Sequence, residues 1–244
     1  MGAHLVTTPM ILIYLIRHAQ GSSGKGNYDR LSDLGIRQAK ILGDSFAHLG
    51  MRFDAVYSGS LERQTDTARI VMSRLPEWDA KPDLTIAPQF NEFDAATIII
   101  SQAPGMIRED PSMAENMDRI YTHQRSLQMV LEKAVGRWIS GRHDVVGIET
   151  WQEFRDRISN GLTLVKQENT GKNTVAIFSS GGAASAILQM ALGLSNEETL
   201  RLAWQIRNTS VTTLKCKDDR LGLLSFNCLA HLEWQNRPEL LTYR

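Results

Sequence analysis

The chain has 244 residues, 42% of them hydrophobic, and its 27 Lys+Arg balance 27 Asp+Glu. That length suits one large α/β domain with a modest insertion, and zero net charge argues against a nucleic-acid-coating or membrane-surface protein. Two cysteines, Cys216 and Cys228, give neither a disulfide framework nor a metal-ligand spacing, so the expectation is a cytoplasmic protein with no metal and no cofactor.

Residues 1–9 read as a flexible N-terminal segment and 10–244 as a single domain. The apolar run 10–16 predicts a buried strand and is too short for a membrane span. It ends at Arg17-His18. Residues 20–27 are a Gly/Ser-rich loop. Ser32 or Asp33 caps a helix with Ile36, Ala39, Leu42, Phe46 and Leu49 on one face and Gly50 as its stop. A second strand is predicted over 53–57. A helical stripe through Leu61, Thr65, Ala68, Met72 and Leu75 then stops at Pro76.

Residues 93–142 interrupt this βαβα order and read as an insertion, or lid, over the active-site crevice. Thr97-Ile98-Ile99-Ile100 is its one strand-like run. A long helix is expected through Met117, Ile120, Gln124, Leu127, Leu131, Ala134 and Trp138. Met106, Met113 and Met117 are core filling or lid lining. Trp151, Phe154, Ile158, Leu162 and Val165 mark the next helix. A strand follows over 174–178, then Ser179-Ser180-Gly181-Gly182 and an Ala-rich helix, and a hairpin over 211–214 and 221–226. The fold class is therefore three-layer α/β, with a mainly parallel sheet flanked by helices and a helical insertion over the active site.

Ligands in open α/β sheets bind beyond the carboxyl ends of the strands. The predicted junctions there carry Arg17 and His18, then Arg63 in the first turn of a helix, then Glu92 between apolar neighbours, then Ser180-Gly181 at another helix start. Each alone has a bland reading: a surface pair, a solvated arginine, a loop acid, a simple turn. Together they supply a nucleophilic imidazole, two guanidiniums, a carboxylic acid and backbone N–H donors, a kit for phosphoryl transfer. The other histidines, His123, His143 and His231, read as structural or solvated.

Leu15-Ile16-Arg17-His18-Ala19 resembles the Arg-His-Gly signature of the histidine phosphatase, or phosphoglycerate-mutase-like, superfamily, with Ala19 in place of glycine. Three further stretches are similar to family segments: 31–39, 57–68, which resembles the family's Ser-x-x-x-Arg-x-x-x-Thr-Ala segment, and Asn91-Glu92. Asn208-Thr209-Ser210-Val211 is similar to an asparagine-centred segment before a late strand. The resemblance implies a phosphohistidine on His18, phosphate binding by Arg17, Arg63, Ser180 and Gly181, and Glu92 as proton donor to the leaving oxygen. It implies a phosphorylated small molecule or phosphate as partner, with a homodimer possible and neither nucleic acid nor membrane.

One departure matters. Where the family carries Ser-His-Gly-Gly, this chain has Ser179-Ser180-Gly181-Gly182, so Ser180 stands at the second histidine. A hydroxyl can hydrogen-bond a phosphoryl oxygen but brings no positive charge. Three explanations stay open: an enzyme that manages with serine, a pseudoenzyme that binds a phosphorylated ligand, or a deliberate trapping substitution. A phosphoglycerate-type mutase ranks lower, because the loop after His18 lacks the Glu-Ser-x-Trp-Asn pattern.

Overall fold

A computed structural model describes residues 10–22, 29–171, 173–217 and 220–243. The segment 1–9 and most of the loop 20–27 lie outside the described residues. In chain order the elements are β1 (Ile11–Arg17), α1 (Asp33–His48), β2 (Ala55–Ser58), α2 (Glu62–Arg74), β3 (Leu84–Ile86), α3 (Ala95–Glu109), α4 (Met113–Asp118) and α5 (Gln124–Ile139). They continue with α6 (Trp151–Glu168), β4 (Thr174–Ser179), α7 (Gly181–Leu192), α8 (Asn196–Ala203), β5 (Val211–Lys217), β6 (Arg220–Cys228) and α9 (Ala230–Glu233).

The strands form one six-stranded sheet in the order β3-β2-β4-β1-β5-β6. The pairings β3/β2, β2/β4 and β4/β1 are parallel, while β1/β5 and β5/β6 are antiparallel. Alternation along the strands builds two cores, one on each face. Ile13, Leu15 and Ile177 join one cluster, and Ile16, Ala176 and Phe178 join the other. Arg17 and Ser179 are register partners at the carboxyl ends of β1 and β4, so the loops leaving both strands open on the same crevice.

The middle of the chain departs from its sequence reading. Thr97-Ile98-Ile99-Ile100 is helical, inside α3. Asp94 caps that helix by accepting from the Thr97 N–H at 3.1 Å, and its apolar residues then bury on one side, with Ile98 and Ile99 buried. The long helix expected from Met117 to Trp138 is two: α4 ends at Asp118 and α5 starts at Gln124. The apolar spacing runs across the turn between them. Three elements were not foreseen, the four-residue helix α9 among them. The edge strand β3 is three residues long, and α8 begins with a Ser195–Glu198 capping box.

α1 starts against the loop that leaves β1. Ser32 caps it by accepting from the Gly35 N–H at 2.9 Å, and Gln38 accepts from the Gln20 N–H at 2.9 Å. A Cβ at Gly35 would lie 2.1 Å from the Gln20 carbonyl oxygen. Gly35→Ala must therefore push the post-His18 loop away, and a destabilisation of about 1–3 kcal/mol is expected in urea unfolding. An unchanged midpoint would contradict this close approach.

Candidate active site

His18 leaves the end of β1 and is 2% exposed. Its Nδ1 lies 2.7 Å from the Ala19 carbonyl oxygen. A carbonyl can only accept, so Nδ1 carries the proton and Nε2 presents its lone pair. Arg63 Nε donates to that Nε2 at 3.2 Å. Burial, then the charges of Arg63 and Arg17, hold the His18 pKa well below its ordinary value, so the ring is neutral.

Arg63 sits in the first turn of α2, where a bare cation would oppose the helix dipole. Asp29 answers this twice. Its carboxylate accepts from Arg63 Nη1 at 2.7 Å and from the Glu62 N–H at 2.9 Å, at a helix whose N-cap residue Leu61 gives no side-chain bond. One turn on, Thr67 donates to the Arg63 carbonyl at 2.6 Å and accepts from the Ala19 N–H at 3.0 Å. The i, i+4 spacing of Arg63 and Thr67 thus fastens one face of α2 to the residue after His18. Arg17 donates through Nη1 to the Ile206 carbonyl.

Glu92 follows the short turn after β3. Its carboxyl accepts from the Gly182 N–H at 3.0 Å and the Phe93 N–H at 3.2 Å, at the positive N-terminus of α7. Desolvation outweighs these bonds and the two arginines, and raises its pKa. The site thus pairs a neutral base with a carboxyl biased toward keeping its proton. Gly182 must be small: a Cβ there would come 2.2 Å from Glu92 Oε1.

Arg17, His18, Arg63, Glu92, Gly181 and Gly182 line one cavity. Ser180 does not. It is fully buried, and its hydroxyl accepts from Gln64 Nε2 at 2.8 Å. Gln64 also donates to the Phe90 carbonyl at 3.2 Å, as does the Ser179 hydroxyl at 2.7 Å. The backbone N–H of Gly182, one residue past the Gly181 that sequence assigned to an anion, is taken by Glu92.

Sequence reasoning missed the supports. Asp29 and Gln64 are among them. Asn208 donates to the His18 carbonyl at 3.0 Å, and the Thr209 N–H donates to the Arg17 carbonyl at 3.0 Å. Thr209 holds a left-handed φ of 56°, and its hydroxyl lies 3.1 Å from His231 Nε2. The segment near the C-terminus joins this support: Thr242 donates to Asn208 at 2.9 Å and accepts from Gln38 at 2.8 Å. The bonds from Asn208 to His18 and from Gln38 to Thr242 span 190 and 204 positions, too far for a local pattern to announce them.

A phosphoglycerate-mutase-like α/β fold with histidine, two arginines and a carboxyl at its crevice defines the class. The chain matches the histidine phosphatase superfamily (branch 1) over residues 13–98 and 92–229, and it belongs to that superfamily. A 67-residue stretch is 36% identical to the mitochondrial serine/threonine-protein phosphatase PGAM5 of Xenopus laevis; it takes in 27% of this chain and 24% of that protein. The phosphoglycerate mutase of Bacillus anthracis superposes with a TM-score of 0.64 at 15% identity, over 95% of this chain and 99% of that one. A phosphoserine phosphatase of Entamoeba histolytica, solved with 3-phosphoglyceric acid, gives 0.61 at 19%, over 91% and 99%. The alpha-ribazole phosphatase of Shigella flexneri gives 0.59 at 20%, over 89% and 96%. At these identities the likeness to solved structures is one of fold.

Burial lowers His231 from 6.5 to about 4. Below 6.5 the unfolded chain binds a proton there that the folded chain refuses, so stability falls as pH falls through that window. Between about pH 7.5 and about pH 4.5 this one group removes about 2–3 kcal/mol. His231→Gln, which can still bond Thr209, should lose less stability over that range than the parent chain in urea titrations. Other groups contribute equally to both proteins. Parallel losses would mean that His231 titrates normally.

Proposed function

We propose that the chain hydrolyses phosphomonoesters through a phosphohistidine, without a metal. His18 Nε2 attacks phosphorus; a P–N bond forms and the P–O bond to the leaving group breaks. Glu92 gives its proton to the departing oxygen. Water then attacks phosphorus, Glu92 takes the water's proton, the P–N bond breaks, and phosphate leaves with His18 restored. Arg17 and Arg63 hold the equatorial phosphoryl oxygens, and Gly181 at the start of α7 lets the phosphate approach backbone.

The observation that carries this reading is the 3.2 Å contact between Arg63 Nε and His18 Nε2. It sets a guanidinium donor beside the lone pair that must attack, where a phosphoryl oxygen would collect it. The neutral His18 and the proton-retaining Glu92 are the two protonation states the first step requires. Family membership supports phosphatase or mutase chemistry in general.

On this reading Ser180 occupies the place of the family's second histidine. One observation favours a second reading, a protein that binds a phosphorylated ligand without turning it over: the Ser180 hydroxyl is engaged by Gln64 and contributes no charge to the cavity.

His18→Ala should abolish phosphate release and any acid-labile phosphoenzyme while leaving the circular dichroism spectrum unchanged. Turnover retained in that variant would remove His18 from the reaction.

Ser180→His tests the second reading. The amide of Gln64 fills the neighbouring volume, so the ring is introduced both alone and with Gln64→Ala. In an enzyme whose remaining groups are in place, the added imidazole should speed single-turnover phosphoenzyme formation on an aryl phosphate by about 10-fold, or about 1.4 kcal/mol of barrier. No gain in either background would show that the missing imidazole does not limit the chemistry.

A further inference from the structure

The cavity that holds His18 is far larger than a phosphoryl group. Its volume is about 1260 Å³, above the usual range for small-molecule pockets, roughly 300–1,000 Å³. Its polar end is Arg17, His18, Arg63 and Glu92. Away from that end the lining changes character. One stripe of α5 supplies Leu127, Leu131, Val135 and Trp138, spaced by four, four and three residues so that all share one helix face. Ile99 of α3 and Leu200 of α8 face the same space.

The two ends meet at Phe93, the residue after Glu92. Its ring centroid lies 4.9 Å from that of Trp138 and 5.7 Å from that of Phe154. Trp138 in turn packs edge-on to Trp151 at 5.2 Å. An aromatic wall therefore begins one residue from the proton donor.

Charge points the same way. Among the described lining residues the cations are Arg17, Arg63 and Arg207. The first two belong to the phosphoryl end. Arg207 donates to the Tyr243 hydroxyl at 2.7 Å and lies over that ring at 4.6 Å. Asp94, at the mouth of α3, is spent on capping Thr97. Gln124, Gln128, Gln205 and Asn227 also line the cavity and bring neutral amides without charge. A second anionic group on the substrate, such as a carboxylate or another phosphate, would find Arg207 already engaged with Tyr243 and, against the α5 stripe, would lose hydration without a cation to replace it. A ring or branched hydrocarbon there would leave water favourably.

We propose, building on the phosphatase reading above, that the substrate class is a phosphomonoester whose organic part is bulky, apolar and ring-bearing. The α5 stripe and Leu200 select it. Substrates that are compact and doubly anionic are disfavoured.

The test uses two non-hydrolysable phosphonates, 3-phenylpropylphosphonate and n-propylphosphonate, titrated calorimetrically into the full chain. The matching phosphate esters, which both release a primary alcohol, are assayed for kcat/KM. The phenylpropyl compound should bind about tenfold or more tightly, equal to about 1.4 kcal/mol, and its ester should show a similar gain in kcat/KM. Leu131→Gln with Leu200→Gln should shrink the ratio to about threefold or less while propylphosphonate affinity holds. Equal affinity for the two phosphonates, or a preference that survives both glutamines, overturns the proposal. If both esters are hydrolysed equally and the phosphonates bind equally, the phosphatase reading stands and the apolar selection falls. If the phosphonates are distinguished but neither ester is cleaved, the apolar selection stands and the hydrolase reading falls.

Discussion

The bond from His18 Nδ1–H to the Ala19 carbonyl, 2.7 Å long, is the constraint on which the site depends. It decides which ring nitrogen is bare, and therefore where Arg63 can donate. A protonated imidazole could not accept from Arg63 Nε, and two cations would face each other in a buried pocket. Burial and the arginines keep the ring neutral, so the electrostatics and the tautomer enforce each other. The surrounding bonds serve the same end. Thr67 holds the Ala19 N–H, Asn208 holds the His18 carbonyl, and Asp29 holds Arg63. Each fixes the backbone or the guanidinium so that one lone pair is aimed by the scaffold.

How much of this was legible in sequence follows from the range of each interaction. The strands β1, β2 and β4 were readable because burial on both faces leaves short continuous apolar runs. Arg17, His18, Arg63 and Glu92 were readable because each stands where a strand or short turn gives way to a loop or helix. Thr97–Ile100 misled because β-branched residues favour strands. Asp94 settles the matter by capping a helix four residues before its first buried isoleucine, Ile98. The α4–α5 break misled for the opposite reason: the helical spacing of Met117, Ile120, Gln124 and Leu127, three of them apolar, continues through a turn that periodicity cannot register. The capping box Ser195–Glu198 was a local signal for α8 that went unread. Asp29 and Thr242 had no local signal, and Gln64 and Asn208 stood in stretches marked only by resemblance, since the roles of all four exist only after distant segments meet.

The residues between β3 and α6 do two jobs. Ile98, Ile99, Val135 and Trp138 belong to the same core cluster as Ile13, Leu15 and Ile177, so these helices are part of what stabilises the sheet face. Ile99, Val135 and Trp138 also face the cavity. A wall that is also core is held in fixed rotamers by its neighbours, and such a wall discriminates by shape more sharply than a mobile loop. Tuning specificity there carries a cost in stability for the deeply buried members. The partly buried Leu127, Leu131 and Leu200 are freer to vary.

Position 180 raises the remaining question of charge. Arg17 and Arg63 already depress His18, and a cationic imidazole close by would depress it further and would also favour the ionised form of Glu92. Ionisation of Glu92 would remove the proton the leaving oxygen needs. A neutral hydroxyl bound to Gln64 avoids both effects. On the proposed reading, in which His18 attacks and Glu92 protonates, it would leave His18 basic and Glu92 protonated, at the expense of one donor to the phosphoryl oxygens. The balance turns on how much of the barrier lies in neutralising the transferred group. It also turns on how much lies in protonating the leaving oxygen. Alkoxide-like leaving groups place more weight on the proton, and for them a serine at this position costs the reaction less than the lost charge alone would indicate.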